Sequence, residues 1–214
     1  MCIAYRSRLG HKKGGKGTLI NLFGAGESND AYVCEIAPGK SLKPERHMFE
    51  EMIFILQGRG ATSVWVEGSP KHVFEWQEGS LFAAPLNIWH ELHNGQGDQP
   101  ARFLAVTSAP LVMNLYHNFD FIFNNSFIFE DRYQPVADYF SPKGKLVQGL
   151  ISRVWESNFI PDVNQFKLPI ARSAVAGERG SRLSFLKTPW QLIPRVLLWT
   201  STKKLIVMDP ARTF

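Results

Sequence analysis

The chain has 214 residues, 44% hydrophobic and 13% aromatic, which is enough to bury a core and too apolar for a disordered tail. Its net charge of +5 belongs to one end: from Arg172 onward eight basic residues face two acidic ones, leaving 16 basic and 17 acidic before that point. That distribution argues against a nucleic-acid face on the main domain, and the longest apolar runs fall short of the roughly 20 residues a bilayer demands.

Residues 1–29 read as an N-terminal arm with a first strand; within it Gly10, Gly15 and Lys16 sit at phosphate-loop spacing, but Gly17 occupies the place of the required hydroxyl, so the stretch reads as flexible. Neither a secretory h-region nor a disulfide framework is visible, Cys2 and Cys34 being the two cysteines, and the expectation is a cytoplasmic protein with reduced thiols. From Ala31 a succession of short β-prone runs follows, each closed by turn residues: 31–36, 51–57, 62–67, 72–76, 81–84, 89–93 and 101–107. That spacing, with no helical pattern between the runs, predicts an all-β sandwich or barrel over residues 30–112.

Residues 113–171 read as an aromatic segment and linker. Phe119, Phe121, Phe123, Phe127, Phe129 and Tyr133 all fall at odd positions, so an extended chain would show one aromatic strip, packed on the outside of the barrel or at a subunit or domain interface. A short helix is expected at Ala137 to Phe140 or Lys145 to Ile151, and a basic tail at 172–214. Barrel edges and the aromatic strip need cover, which predicts a homo-oligomer.

Two segments carry chemistry. In the first, Gly39 to Gly58, residues Glu45, His47 and Glu51 share parity and project to one face of an extended chain while Glu50 points to the other. The second, Gly79 to Asn94, contributes His90, with His93 at opposite parity. If both strands line one small barrel, His47, His90 and Glu51 place two imidazoles and a carboxylate together, a set suited to iron, manganese, nickel or zinc with open coordination positions. His11, His72 and His117 have no ligand-like companions, and Trp65, Trp76 and Trp89 read as core or pocket wall.

The spacing of these segments resembles the cupin family. Gly39, His47, Glu51 and Gly58 match its first motif, with Glu45 where the first histidine is expected; Gly79, Pro85, His90 and Asn94 match its second, with Asn87 in place of a glycine. The resemblance implies a double-stranded β-helix, the cupin jelly-roll barrel, with an irregular, partly helical C-terminal extension. It also implies a divalent metal held by His47, Glu51 and His90. Glu45 can complete that set as a hard oxygen ligand favouring iron(II) or manganese(II), or it can point to solvent or pair with Arg46 or Lys43.

Segments such as 58–68, 79–94, 117–125 and 155–163 further resemble microbial two-cupin proteins, which implies that this chain is the N-terminal half of such a protein, truncated before a second barrel. One back-translation of Lys203 to Phe214, read one base out of phase, yields Lys-Ala-His-Arg-His-Gly-Pro-Gly-Ala-His-Val, similar to a first cupin motif. The tail from about residue 180 therefore reads either as a frameshifted product or as a native basic helix, and the coding DNA distinguishes the two.

Two functions follow from the resemblance. One is a metal-dependent, oxygenase-type enzyme that activates dioxygen or polarises a carbonyl of a small aromatic or carboxylated molecule. The other is a non-catalytic barrel that binds a small-molecule ligand, or the supporting half of a two-barrel protein. No separate general base is evident in the sequence.

Overall fold

The structure, a computed structural model, describes residues 14–22, 28–148 and 153–166. Eight strands build the main domain: β1 Lys16–Ile20, β2 Asp30–Ile36, β3 Glu51–Gln57, β4 Arg59–Trp65, β5 His72–Gln77, β6 Leu81–Ala84, β7 Trp89–Asn94 and β8 Ala101–Thr107. Burial alternates strictly along β2 and β7, as it must in strands with one face on a core and one on solvent.

Two antiparallel sheets result. One has the order β1-β2-β8-β3-β6-β11, where β11 is Phe159–Ile160; the other has the order β5-β4-β7. The second sheet is extended by single bridges from Ser41 to His93 and from Glu45 to His90. The chain passes repeatedly between the sheets, and their inner faces meet in one apolar cluster: Ile36, Ile53, Ile55 and Phe103 from the first, Val64, Phe74, Trp76 and Leu92 from the second. Sheets paired in this way remove apolar area from water on both inner faces at once, the main favourable term in folding. Gly58 makes the crossing from β3 to β4 at φ +91°, where a Cβ would also stand 3.0 Å from the Ala101 backbone.

Four expectations need correction. Lys16 and Gly17, read as part of a flexible arm, belong to β1, which pairs along its whole length with β2. The strand expected at 62–67 runs instead from Arg59 to Trp65. Gly60, which looks like a turn residue, sits inside that strand because a Cβ there would come within 2.0 Å of the His93 carbonyl oxygen and 2.5 Å of the Trp76 ring.

The aromatic strip is not extended. Helix α1, Ala109–Tyr116, precedes it, and its first three members, Phe119, Phe121 and Phe123, lie in helix α2, Phe119–Asn124. Asn118 caps α2, its side-chain oxygen accepting from Phe121 N at 3.0 Å. Positions 119 and 123 lie one helical turn apart, so Phe119 and Phe123 pack together against the cluster of Phe49, Ala109, Met113 and Ile122, whereas Phe121 turns outward to Tyr116. Leu111, Leu115, Phe121 and Phe127 remain exposed.

The helix expected at 137–140 or 145–151 is also absent from the described residues there: Ala137 to Phe140 is turn, placing Phe140 flat on Phe74, and Lys145–Gln148 is a strand, β9, paired with β10, Arg153–Glu156. A 3-10 turn, Val163–Gln165, follows β11. The basic tail at 172–214, with its alternative readings as helix or frameshifted sequence, lies outside the described residues, as do His11, Cys2 and residues 149–151. Among the described residues no helix is long and apolar enough to cross a membrane.

Candidate metal centre

Three different pieces of chain bring the cluster together. Glu45 and His90 are backbone partners: Glu45 N donates to the His90 carbonyl at 3.0 Å and His90 N to the Glu45 carbonyl at 2.9 Å, which sets their side chains next to each other. His47 follows two residues later, its carbonyl accepting from Asn87 N at 3.0 Å. Glu51 opens β3, paired there with Ala84 and Thr107. The shared parity of Glu45, His47 and Glu51 survives even though the chain bends at residues 48 and 49 instead of running extended.

One ligand atom from each of Glu45, His47, Glu51 and His90 lies within 4.8 Å of all the others. His47, Glu51 and His90 are buried at 1–2% exposure, while the Glu45 side chain is 21% exposed and is the member nearest solvent. His47 Nε2 stands 3.4 Å from Glu51 Oε2, and His90 Nε2 stands 3.6 Å from the same oxygen and 3.5 Å from Glu45 Oε1. Atoms bound to a common ion at about 2.1–2.2 Å are separated by about 3.0–3.6 Å when their bond angles lie between square and tetrahedral values. These three spacings fall in that range, and the other pairs lie within 4.8 Å.

The imidazoles are set up as ligands by the hydrogen bonds on their far sides. His47 Nδ1 faces the Phe49 carbonyl at 2.8 Å and His90 Nδ1 the Ile88 carbonyl at 3.1 Å. A carbonyl only accepts, so each Nδ1 carries the proton and each Nε2 turns toward the cluster. Both Nε2 atoms are buried and lack a hydrogen-bond partner among the described residues. A divalent ion supplies the missing partner, so the residues present fit a metal.

Electrostatics agree with that donor set. Burial by itself would push the His90 pKa down, but Glu45 and Glu51 outweigh it and hold the imidazole up at about 9 in the metal-free protein. A proton there does in part what a cation would do. Burial and the facing Glu51 carboxylate also push the Tyr32 hydroxyl well above its ordinary value, keeping it a donor.

Tyr32 carries no signal in a sequence reading, and Asn87 shows there only as a departure from the motif's glycine. Tyr32, inward on β2, donates its hydroxyl proton to Glu51 Oε1. Asn87 adopts φ 56°, the conformation for which the family motif uses glycine, and its side-chain amide donates to the Asn125 and Phe127 carbonyls at 3.0 and 2.8 Å. Asn94 is structural, its amide binding the Ile36, Ala37 and Gln99 carbonyls.

The remaining candidates lie elsewhere. His93 faces away from the cluster, between Ser41 Oγ at 2.7 Å and Ser63 Oγ at 2.8 Å. Trp65 and Trp89 stack on each other, while Trp76 is core. His72 packs edge-on against Phe140, and His117 ends α1 in a left-handed conformation. A cavity of about 630 Å³ bordered by Trp76, Ser80, His93 and Phe159 is lined by none of the four cluster residues.

Comparison with known proteins places these observations. The family model described as "Cupin domain" matches residues 32–107. No protein of curated function matches the chain. Among solved structures, an oxalate decarboxylase of Lactobacillus farciminis in its formate complex is similar at 29% identity, over 45% of this chain and 29% of that one, with a TM-score of 0.41. A Bacillus subtilis oxalate decarboxylase, studied for its Mn(II) centres, is 20% identical over 45% of this chain and 26% of its own (TM-score 0.40), and vicilin from Capsicum annuum is 17% identical over 45% and 28% (TM-score 0.40). The chain thus spans less than a third of the length of these solved proteins. The matched stretch holds strands β3 to β8, most of β2 and all four cluster residues, so residues 32–107 are similar to a cupin domain.

Proposed function

We propose that Glu45, His47, Glu51 and His90 hold a divalent metal ion, manganese(II) or iron(II), and that the barrel uses it to bind an oxygen-bearing small molecule. The observation that carries this reading is the pair of buried Nε2 atoms, fixed in the ligating tautomer by the Phe49 and Ile88 carbonyls and left without hydrogen-bond partners beside two carboxylates. Two imidazoles with two hard oxygens favour manganese(II) and iron(II) over copper, which prefers softer donors or tetragonal nitrogen-rich sites.

Bound there, the ion supplies Lewis acidity toward a carbonyl or carboxylate oxygen. The chain's own residues do the rest. The backbone carbonyls of Phe49 and Ile88 keep the imidazole protons away from the ion, and Glu51 and Glu45 neutralise its charge in a buried setting. Glu45, the partly exposed ligand, marks the side from which a small molecule reaches the site.

The test is metal content of the purified protein by plasma mass spectrometry, beside His47→Ala and His90→Ala. Near-stoichiometric manganese or iron that is lost in both variants supports the reading and calls for oxygen-consumption and decarboxylation assays. A parent protein that takes up no metal after reconstitution overturns it, leaving the barrel as a metal-free ligand-binding or supporting half.

A further inference from the structure

We propose that Tyr32 is a positioning residue for the metal ion: by occupying Oε1 of Glu51 it makes that carboxylate a one-oxygen ligand and fixes which oxygen faces the two histidines. This rests on the metal-binding reading of the cluster and adds to it a residue outside the ligand set.

The placement is built into the sheet. β8 lies between β2 and β3, and its Ala105 is the backbone partner of both Tyr32 and Ile53. Thr107, the next inward residue of β8, is the partner of both Asp30 and Glu51. Tyr32 and Glu51 are therefore diagonal neighbours across an intervening strand, and the residue beneath that diagonal is an alanine with no exposed surface. A larger side chain at 105 would stand between them. The Tyr32 ring, 4% exposed, also meets Phe103 edge-on at 6.0 Å and 74°, which leaves the hydroxyl one direction to point.

The two oxygens of Glu51 consequently have separate tasks. Oε1 accepts the phenol proton. Oε2 faces His47 Nε2 at 3.4 Å and His90 Nε2 at 3.6 Å. A carboxylate pinned on one oxygen does not swing to chelate an ion with both, so a coordination position that a two-oxygen Glu51 would take stays open for a small molecule. The donated hydrogen bond also draws charge from the carboxylate and tunes how strongly it binds the ion.

A hydroxyl that merely satisfied a buried acid would stabilise the fold without altering the metal, and the experiment separates these roles. Metal-free wild-type protein and Tyr32→Phe are titrated with manganese(II), and the bound ion is examined by low-temperature electron paramagnetic resonance. Tyr32→Phe frees Oε1 of Glu51, so the manganese(II) affinity is expected to shift by about 10- to 100-fold and the fine structure of the manganese signal to change. Equal affinity with an identical spectrum overturns the proposal, even if the variant melts at a lower temperature. If wild type itself binds no manganese(II) or iron(II), the metal reading fails first, in a measurement that does not involve the variant, and the proposal falls with it. Should Tyr32→Phe show no cooperative melt, the wild-type chain carrying 3-fluorotyrosine replaces it: its phenols are stronger acids, and an unshifted manganese spectrum overturns the proposal.

Discussion

Phe49 lies flat on the His47 imidazole, ring centroids 3.8 Å apart and planes 3° apart, and its carbonyl accepts the proton on His47 Nδ1. One residue thus fixes both the plane and the tautomer of a candidate ligand. It also meets Phe123 edge-on at 5.9 Å, linking the site to α2.

Replacing Phe49 by alanine removes a ring with 1% exposure and opens a cavity among Ala109, Met113 and Ile122. The expected cost is about 3–5 kcal/mol of unfolding free energy, measured by urea denaturation. The backbone carbonyl remains in Phe49→Ala, so His47 keeps its tautomer but loses its packing, and metal content should fall less than in His47→Ala. Metal loss as complete as in His47→Ala would mean that stacking, not the ligand atom, governs the site.

Asn87 offers a second test because its backbone and side chain make opposite demands. At φ 56° an alanine is strained and a glycine is not, while either substitution deletes the two hydrogen bonds to the Asn125 and Phe127 carbonyls. Asn87→Gly should cost about 1–2 kcal/mol from the lost hydrogen bonds and Asn87→Ala about 1 kcal/mol more, since a left-handed backbone disfavours a Cβ. Equal costs in denaturation would show that the strain is relieved by backbone movement.

Much of this was legible in the sequence. The strands at 31–36, 51–57, 81–84 and 101–107 were marked by alternation and by bounding glycines and prolines, and Gly58 and Gly79 do turn at positive φ. The four cluster residues were marked by motif spacing. The helical hairpin was hidden because aromatics at 119 and 123 satisfy a period of two and one helical turn equally well, and the Asn118 cap decided between them. Gly60 imitated a turn because glycine in a strand signals close approach only once Trp76 and His93 are known to be beside it. Tyr32 could not be found by pattern at all: an inward tyrosine in a core strand looks like any other, and its partner Glu51 comes from a strand two places away in the sheet.

The raised pKa of His90 gives the metal-free protein a defined pH dependence. The folded value, about 9, exceeds the ordinary value near 6.5 because Glu45 and Glu51 outweigh burial. A group raised in the folded state stabilises it fully below the unfolded value and loses that contribution as pH climbs through the folded one. Metal-free protein in chelator should therefore lose unfolding free energy between about pH 7 and pH 9.5, and His90→Gln should flatten that decline. A decline that persists in His90→Gln would place the proton elsewhere. Because an ion must displace this proton, metal uptake near neutral pH should release protons and tighten as pH rises.

The two carboxylates of the cluster are not equivalent, and that difference yields the most direct test of Glu45. Glu51 is 1% exposed at its side chain, faces both imidazoles and is held by Tyr32, so Glu51→Gln removes a charge from a place water does not reach. Glu45 is 21% exposed and faces His90 alone among the imidazoles, so in Glu45→Gln water can take over the vacated position and solvent screens part of the lost charge. Glu51→Gln should abolish measurable manganese(II) binding, whereas Glu45→Gln should weaken it by about 10-fold and leave a site that fills at higher metal concentration. Competition titration against a chelator reads both. If Glu45→Gln leaves affinity unchanged, Glu45 is a neighbour of His90 and the site has three protein ligands, with one more position open to a small molecule.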